Sequence, residues 1–318
     1  MTPQAPLRLG TRKSPMAVAQ SQLIARLITQ RSGRAVELTG VTTFGDVSRA
    51  QLAQIGGTGV FVSGLRTSLL AGDIDLAVHS LKDLPTAQPD GIELAAVPVR
   101  DDPRDALAAR DGAKLADLPP GARIGTGSPR RAAQLLLLRP DLCPVPVRGN
   151  ADTRLGRVDS GEVDAVVLAY AGLVRIGRLD AVTQIFEPEE MLPAPGQGAL
   201  AVECRSDRRD LTTLLACMDD PASRAAVTAE RSLLAALEAG CSAPVGGYAA
   251  GTDGLRLHAI VVAADGESAL RANAGGPAAE ADRLGREVAA ELLRRGAGRY
   301  TAVSAEMAGH ISNGDDAQ

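Results

Sequence analysis

The sequence predicts an α/β fold of two or three domains. The chain has 318 residues, more than a single domain of roughly 100–200 residues normally holds. Short apolar segments typical of strands alternate with segments of helical periodicity, which is the order expected of parallel sheets covered by helices. Beyond about residue 219 this alternation gives way to a long helix, a glycine-rich turn and further strands, which indicates a smaller α+β domain.

The first hundred residues show this alternation clearly. The best-marked helix starts at Ser14-Pro15, because Ser is a preferred N-cap and Pro is preferred at the first helical position. A second helix is predicted over residues 60–70, and a polar turn over 79–83. The predicted strands are residues 7–10, 36–43, 74–78 and 92–97.

The charged segment 100–105, Arg-Asp-Asp-Pro-Arg-Asp, indicates a hinge or a crossing between domains, and the pattern restarts after it. Helices are predicted from Ser128-Pro129 to residue 138 and over 152–158, with strands over 123–125, 145–147, 163–169 and 199–203. A second boundary is predicted near residues 219–221. The α+β part then holds a helix over 222–238, strands around 255–263 and a helix over 280–294, and the polar tail is expected to be disordered.

Composition and charge exclude several classes of protein. Aromatic residues make up only 2% of the chain, which leaves few platforms for stacking nucleobases, and the net charge of −4 disfavours a general nucleic-acid binder. The N-terminus lacks an apolar signal segment, so we expect a cytosolic protein with reduced thiols. The four cysteines form no C-x-x-C pair, and no metal site is predicted. Cys143, Cys204 and Cys217 lie in or beside apolar segments, which is typical of structural cysteines.

A cationic turn is the first candidate site. In the segment 126–131, Thr-Gly-Ser-Pro-Arg-Arg, a strand end meets a helix N-terminus, whose free N–H groups attract anions. Two arginines in a first helical turn oppose the helix dipole, so helix stability alone does not explain them. Nine arginines against five acidic residues occur over residues 123–178. Because parallel strands end at one crevice, we expect a polyanionic ligand there, and carboxylates suit the arginine fork.

Two further residues have both a structural and a chemical interpretation. Asp83, beside Lys82, is either half of a surface ion pair or an ionised carboxylate that stabilises a developing cation. Cys241 lies in the turn Gly-Cys-Ser-Ala-Pro at 240–244, outside any apolar run, and is either incidental or reactive. The glycine-rich turns match neither a Walker A loop nor a G-x-G-x-x-G fingerprint, which argues against a kinase or a dehydrogenase.

Several segments together resemble the porphobilinogen deaminase (hydroxymethylbilane synthase) family, over about residues 7–300. The matching segments are Leu-Arg-Leu-Gly-Thr-Arg-Lys-Ser-Pro at 7–15, Ala-Val-His-Ser-Leu-Lys-Asp-Leu-Pro at 77–85, Gly-Thr-Gly-Ser-Pro-Arg-Arg at 125–131, Arg-Gly-Asn at 148–150 with Arg154, Leu-Pro-Ala-Pro-Gly-Gln-Gly-Ala at 192–199, and the turn at 240–244. A single motif of this kind is weak evidence, but six in the family's order are strong evidence.

The resemblance implies a domain organisation. Two domains would have the doubly wound α/β fold of type 2 periplasmic binding proteins, with a small α+β C-terminal domain that carries the cofactor-bearing Cys. Domain 1 would comprise residues 1–100 and 199–218, domain 2 residues 101–198, and domain 3 residues 219–309. Residues 310–318 would form the disordered tail.

The resemblance also implies the reaction. Four porphobilinogen molecules would be deaminated and joined head to tail on a dipyrromethane cofactor, held by a thioether to Cys241, and hydroxymethylbilane would be released. Asp83 would accept pyrrole N–H hydrogen bonds, stabilise the azafulvenium cation left when ammonia departs, and assist proton transfer. The expected partner is porphobilinogen, with no nucleic acid or membrane, and the expected state is a monomer.

The same resemblance assigns side chains to the acidic arms of the pyrroles. Carboxylate binding is assigned to Arg12, Ser14, Lys82, Thr126, Ser128, Arg130, Arg131, Arg148, Asn150, Arg154, Arg175 and Gln197, with Ser80 as a further polar partner. Phe61 would pack against a pyrrole ring or, equally well, belong to the core of its helix.

Three positions depart from the family pattern. Thr58 and Phe44 stand where many relatives have Lys and Arg, which removes two cations from the first domain. Pro129 replaces a usual Leu, which the first helical position tolerates. The alternative function is a ligand-binding protein of the same two-lobed fold without chemistry, which the third domain and the missing secretion signal disfavour.

Overall fold

The computed structural model describes residues 5–41, 59–239 and 243–300, without the side chains of residues 59–61. The chain divides into two compact units: unit 1 is Met1–Asp101 with Gly198–Arg224, and unit 2 is Asp102–Gln197 with Ala225–Gln318. Each unit is therefore discontinuous in sequence. No helix in the described ranges has both the length and the apolar character needed to span a membrane.

Unit 1 contains a five-stranded sheet in the order β2-β1-β3-β10-β4. Its strands are β1 (Leu7–Thr11), β2 (Val36–Gly40), β3 (Leu76–Ser80), β4 (Ile92–Ala96) and β10 (Leu200–Arg205). The described part of unit 1 contains the helices α1 (Pro15–Ser32), α2 (Gly59–Ala71) and α6 (Arg209–Leu215). α1 and α6 pack with Leu7 and Leu9 on one face of the sheet, whereas Leu65 and Leu69 of α2 join Ile74 in a separate cluster. The sheet is thus covered on both faces.

Unit 2 contains a second five-stranded sheet, in the order β7-β6-β8-β5-β9. Its strands are β5 (Asp105–Ala109), β6 (Arg123–Gly125), β7 (Cys143–Val145), β8 (Ala165–Ala169) and β9 (Gln184–Ile185), and its helices are α3 (Pro129–Leu138), α4 (Ala151–Asp159) and α5 (Tyr170–Arg175). Leu135 of α3 lies in the core of one face, and Leu155 of α4 and Leu173 of α5 lie in the core of the other.

The described residues of unit 2 beyond Ala225 contain an antiparallel sheet of β11 (Val245–Ala250), β12 (Leu255–Val262) and β13 (Ala269–Gly276), with α8 (Ala281–Arg294). They also contain most of α7 (Pro221–Ala236), whose first turn belongs to unit 1. Leu233 of α7, Leu257 of β12 and Val288 of α8 share one apolar core. A second cluster joins Ile260 of β12 to Ala133 of α3. The antiparallel sheet is therefore packed against the α/β part of the same unit.

The predicted α/β class is confirmed, and most predicted elements occur within two residues of their expected bounds. The predicted parallel pairing occurs between β1 and its neighbours β2 and β3, and between β6 and its neighbours β7 and β8. It does not extend to the whole of either sheet, because β10 runs antiparallel to β3 and β4, and β5 runs antiparallel to β8 and β9. The apolar periodicity of a strand does not record its direction. β5, β9, β11 and β13 were not predicted.

Two local predictions also need correction. The polar turn expected over 79–83 begins later, because His79 and Ser80 complete β3 and His79 is buried. Cys204 is buried as expected of a structural cysteine, but Cys143 and Cys217 are exposed. Apolar neighbours in sequence therefore did not ensure burial at these two positions.

Candidate active site

In unit 1, the ends of β1 and β3 carry four of the predicted site residues. The two strands are parallel neighbours, so both end at the same edge of the sheet. Arg12 and Ser14 follow β1, and Lys82 and Asp83 lie in the 3-10 turn Leu81–Asp83 after β3. The structure therefore brings these four residues to one edge of the sheet.

Asp83 is half-buried in a turn that the backbone holds in place. The Leu81 N–H donates to the Ala199 carbonyl at 3.0 Å, and the Leu84 N–H donates to the Leu81 carbonyl at 3.1 Å. The side chains of Leu81 and Leu84 are buried on either side. Within the described part of the chain, the Asp83 carboxylate accepts no hydrogen bond and forms no ion pair. This carboxylate is therefore available to a ligand.

Two serine hydroxyls near this edge already act as acceptors. Ser14 Oγ caps α1 by accepting the Ala17 N–H at 3.3 Å, and Ser80 Oγ accepts from Gln20 Nε2 at 2.8 Å. A serine hydroxyl can accept and donate at the same time. Each of these hydroxyls can therefore still donate its hydrogen to a carboxylate.

A buried cluster of three ionisable side chains joins α2, β3 and β10. Arg66 donates to both carboxylate oxygens of Glu203, at 3.0 and 2.7 Å, and His79 Nε2 lies 3.3 Å from Glu203 Oε2. Burial alone would raise the pKa of Glu203, but the contacts with His79 and Arg66 outweigh it and lower the pKa to about 2. These contacts were not predicted from the sequence, because Arg66, His79 and Glu203 lie far apart in the chain.

In unit 2, the cationic turn forms the N-terminus of α3, as the sequence predicts. Ser128 is the N-cap, with its Oγ accepting the Arg131 N–H at 3.4 Å. Thr126, just before it, is buried and accepts the Ser128 N–H at 3.2 Å. Arg130 and Arg131, in the first turn, are 3% and 6% exposed. Both arginines therefore point into the protein, not into solvent.

The buried carboxylate of Asp105, at the start of β5, holds both arginines. Arg131 donates to Asp105 Oδ1 through Nε at 3.0 Å and through Nη2 at 2.8 Å, and Arg130 Nη2 lies 2.8 Å from Oδ2. Gln197 Nε2 donates to Oδ1 at 2.8 Å. The sequence predicts an external anion for the two arginines, and the structure shows that they also bind the internal carboxylate of Asp105. Asp105 lies in the charged segment 100–105, which the sequence pattern indicated as a hinge or a crossing between domains and not as a partner of these arginines.

The second turn of unit 2 lies at the N-terminus of α4. Asn150 is the N-cap, with Oδ1 accepting the Thr153 N–H at 2.8 Å and the Thr153 hydroxyl at 2.9 Å. Arg148 is exposed, and Arg154 is half-buried and donates to the Gly149 carbonyl at 2.9 Å. Burial lowers the pKa of Arg154, and the positive charge of Arg131 adds to this lowering. Arg175, at the end of α5, lies outside both turns.

A third part of unit 2 connects the cationic turn to β11. The Leu192 carbonyl accepts from Arg130 Nη1 at 2.6 Å, and the next carbonyl, that of Pro193, accepts the Gly247 N–H at 2.9 Å. Glu230 of α7 is fully buried and accepts the N–H groups of Gly196 and Ala249 at 2.6 and 2.8 Å. The backbone contact is close, since a Cβ on Gly246 would lie 2.9 Å from the Leu192 carbonyl.

Comparison with known proteins identifies the relatives of this chain. A family model described as porphobilinogen deaminase, dipyromethane cofactor binding domain, matches residues 7–213, and the model of the porphobilinogen deaminase C-terminal domain matches residues 224–294. The chain belongs to the porphobilinogen deaminase family. The family predicted from the sequence motifs is thus confirmed.

Individual relatives of the porphobilinogen deaminase family match almost the whole chain. A porphobilinogen deaminase of Thermobifida fusca is 60% identical over 94% of this chain and 97% of its own length. A porphobilinogen deaminase 1 of Streptomyces coelicolor is 57% identical over 93% of this chain and 97% of its own length. Among solved structures, a periplasmic substrate-binding protein from Coxiella burnetii is 17% identical over 69% of this chain and 94% of that chain, with a TM-score of 0.41.

The buried arginines of unit 2 suit a ligand that carries carboxylates, as the sequence predicts. Burial lowers the pKa of Arg130, and the charge of Arg131 adds to that effect although Asp105 opposes it. Among the described residues, Arg130 and Arg131 against Asp105 leave a buried excess of positive charge, which favours binding of an anion. Ala243 and Pro244, which follow Cys241 closely, lead into β11 and so into the contact with residues 192–196.

Several predicted positions lie outside the described residues. They are Cys241, the departures Phe44 and Thr58, the side chain of Phe61 and the tail 310–318.

Proposed function

We propose that this chain is a hydroxymethylbilane synthase. It joins four porphobilinogen molecules head to tail on a covalent dipyrromethane primer and releases linear hydroxymethylbilane, as a transferase of tetrapyrrole biosynthesis. Membership of the porphobilinogen deaminase family is the observation that carries the proposal. The half-buried carboxylate of Asp83 and the buried cationic cluster of unit 2 support it.

The proposed attachment point of the dipyrromethane is the sulfur of Cys241, through a thioether. The carboxylates of the dipyrromethane would be held by Arg131, Arg148 and Arg154. The first turns of α3 and α4 would contribute backbone N–H groups. When bound, the group supplies a nucleophilic terminal pyrrole carbon that substrate units extend. The hydrogen bond from Gly247 to Pro193 supports this assignment, because it brings the strand that follows Cys241 to the segment that contacts Arg130.

Asp83 is the proposed catalytic residue. A carboxylate held by a rigid turn can accept hydrogen bonds from pyrrole N–H groups and stabilise the positive charge that develops as ammonia leaves the substrate. The four cationic or hydroxyl side chains at this edge, Arg12, Ser14, Ser80 and Lys82, would bind substrate carboxylates, because charge-assisted hydrogen bonds to carboxylates are strong. The substrate would thus be held by its acidic arms while its pyrrole N–H faces Asp83.

The domain organisation is proposed to follow the sequence boundaries. Domain 1 is residues 1–100 with 199–218, domain 2 is 101–198, and domain 3 is 219–309. The three separate sheets support this division. A cytoplasmic location, a monomeric state, and the absence of nucleic-acid and membrane partners remain predictions.

The test is the mass of the intact protein. We expect it to exceed the sequence mass by two linked pyrrole units, and we expect a pyrrole-specific colour reaction. Cys241→Ser should lose the added mass, the colour and the turnover of porphobilinogen. Cys217→Ser, which changes an exposed cysteine of unit 1, is the matched control and should keep all three. An unmodified mass in active protein would refute the covalent cofactor.

A further inference from the structure

Asp105 is a fully buried carboxylate that the proposed function does not yet use. It is 0% exposed, and its two oxygens contact Arg130, Arg131 and Gln197. All three partners are residues to which the family resemblance assigns the binding of cofactor or substrate carboxylates. The carboxylate of Asp105 therefore contacts three side chains that are assigned to bind the carboxylates of the cofactor or substrate.

The hydrogen bonds of Arg131 leave it little freedom to move. A guanidinium has five N–H groups. Arg131 uses two on Asp105, one on the Val167 carbonyl at 3.1 Å and one on Gln197 Oε1 at 3.4 Å. Among the described residues, these contacts leave a single N–H of this side chain for a ligand. The orientation of that N–H is set chiefly by the double contact with Asp105.

The charge of the cluster also depends on Asp105. Arg130 and Arg131 carry two positive charges, and Asp105 cancels one of them. A buried carboxylate–arginine pair contributes little net stability compared with apolar residues of the same size. Stability alone therefore gives a weak reason for this arrangement, whereas orientation of a binding group gives a direct one.

We propose that Asp105 is a positioning residue for the carboxylate-binding site of unit 2. It fixes the guanidinium of Arg131 and the amide of Gln197. Its negative charge also reduces the net charge of the arginine pair from two to one, which a single ligand carboxylate can neutralise. This inference rests on the proposed function, since it assigns Arg131 to binding of cofactor or substrate carboxylates.

Asp105→Asn tests the inference, because it keeps the size of the side chain but removes its charge. Kinetic constants are referred to the chains that carry the added pyrrole mass. We expect the fraction of loaded chains to fall and the KM for porphobilinogen of the loaded chains to rise at least about tenfold, with a smaller change in kcat, since lost ground-state binding raises KM. A merely structural residue would lower the melting temperature without changing this KM.

Asp102→Asn is the matched control. Asp102 lies in the same segment and forms a bidentate pair with Arg104, and its contacts in the described ranges do not include Arg130 or Arg131. We expect this variant to keep the loaded fraction and the KM of the wild type. An equal rise in KM in both variants would overturn the proposal, because it would show a general effect of this segment.

A second variant decides the question if Asp105→Asn does not fold. Asp105→Glu keeps the charge and displaces the carboxylate by one methylene, so we expect folded protein with a reduced loaded fraction and a raised KM. Wild-type loading and KM in this variant would refute positioning by Asp105. The proposed function fails separately, if the wild type carries no added mass and does not consume porphobilinogen.

Discussion

Two aspartates of this chain differ because of what surrounds them. Asp83 is half-buried at the end of a turn, and no side chain in the described ranges binds its carboxylate. Asp105 is fully buried, and two guanidinium groups bind its oxygens. The same chemical group can therefore act on a substrate at one position and orient other side chains at the other.

Asp83→Asn tests the catalytic role at the scale of one residue. The amide keeps the size of the side chain but cannot stabilise a developing cation as a carboxylate does. We expect kcat to fall by about a hundredfold or more, with an unchanged melting temperature and an unchanged pyrrole mass. Asp90→Asn, which changes an exposed aspartate of unit 1, should keep wild-type turnover. Retained turnover in Asp83→Asn would remove Asp83 from this role.

Glu203 should make the stability of unit 1 depend on pH. Its pKa of about 2 in the folded protein lies below its ordinary value of 4.5. Because the pKa is lower in the folded protein, the ionised carboxylate of Glu203 stabilises the fold when the pH is above the pKa of the unfolded state. This stabilisation, about 3 kcal/mol, is lost as the pH falls from about 4.5 through 2. We expect urea unfolding to show that the wild type and Glu203→Gln differ less and less in their free energy of unfolding as the pH falls through this interval.

The control for Glu203 is Glu37→Gln, which changes an exposed glutamate on β2 of the same sheet. Its free-energy difference from the wild type should stay nearly constant with pH. A constant difference for Glu203→Gln as well would show that its carboxylate is not specially stabilised in the fold.

At the scale of elements, three predicted ligand-binding residues are also helix N-caps. Ser14, Ser128 and Asn150 cap α1, α3 and α4 at the turn from a strand or loop into the helix. A cap accepts one of the free N–H groups of the first turn, and the remaining ones are available to an anion. Capping and ligand binding are therefore compatible at these turns.

Substitutions of Asn150 separate the two roles. Asn150→Ala removes the cap and should lower the free energy of unfolding by about 1 kcal/mol. Asn150→Asp keeps a good cap but places a negative charge between Arg148 and Arg154 in sequence, so we expect near wild-type stability with a raised KM for porphobilinogen. Chemical denaturation and steady-state kinetics measure both effects. An unchanged KM in Asn150→Asp would restrict Asn150 to capping.

At the scale of the whole molecule, the chain builds unit 1 from two separate stretches. β10 belongs to the sheet of unit 1 although it follows the α/β part of unit 2 in sequence, and it pairs with β3 and β4. Leu9 lies in a core cluster of unit 1, and Leu257 lies in a core cluster of unit 2. The two units should therefore respond separately to core mutations.

Core truncations test this independence. Leu257 of β12 and Leu9 of β1 are both 0% exposed, and truncation of either to Ala should cost about 2–5 kcal/mol locally. We expect Leu257→Ala to reduce hydrogen-exchange protection in β11–β13 while β1 and β3 remain protected, and Leu9→Ala to show the reverse. Equal loss of protection in both units would show that they unfold together.

The sequence alone determined the α/β class, the family and most helices, because these depend on local signals. Ser-Pro helix starts, apolar periodicity and short motifs are read from neighbouring residues. The tertiary structure decided strand direction and the partners of buried charges. Arg131 lies 26 positions from Asp105 in the chain, and Arg66 lies 137 positions from Glu203. No local pattern specifies contacts over such separations, so only the folded chain shows which charges meet.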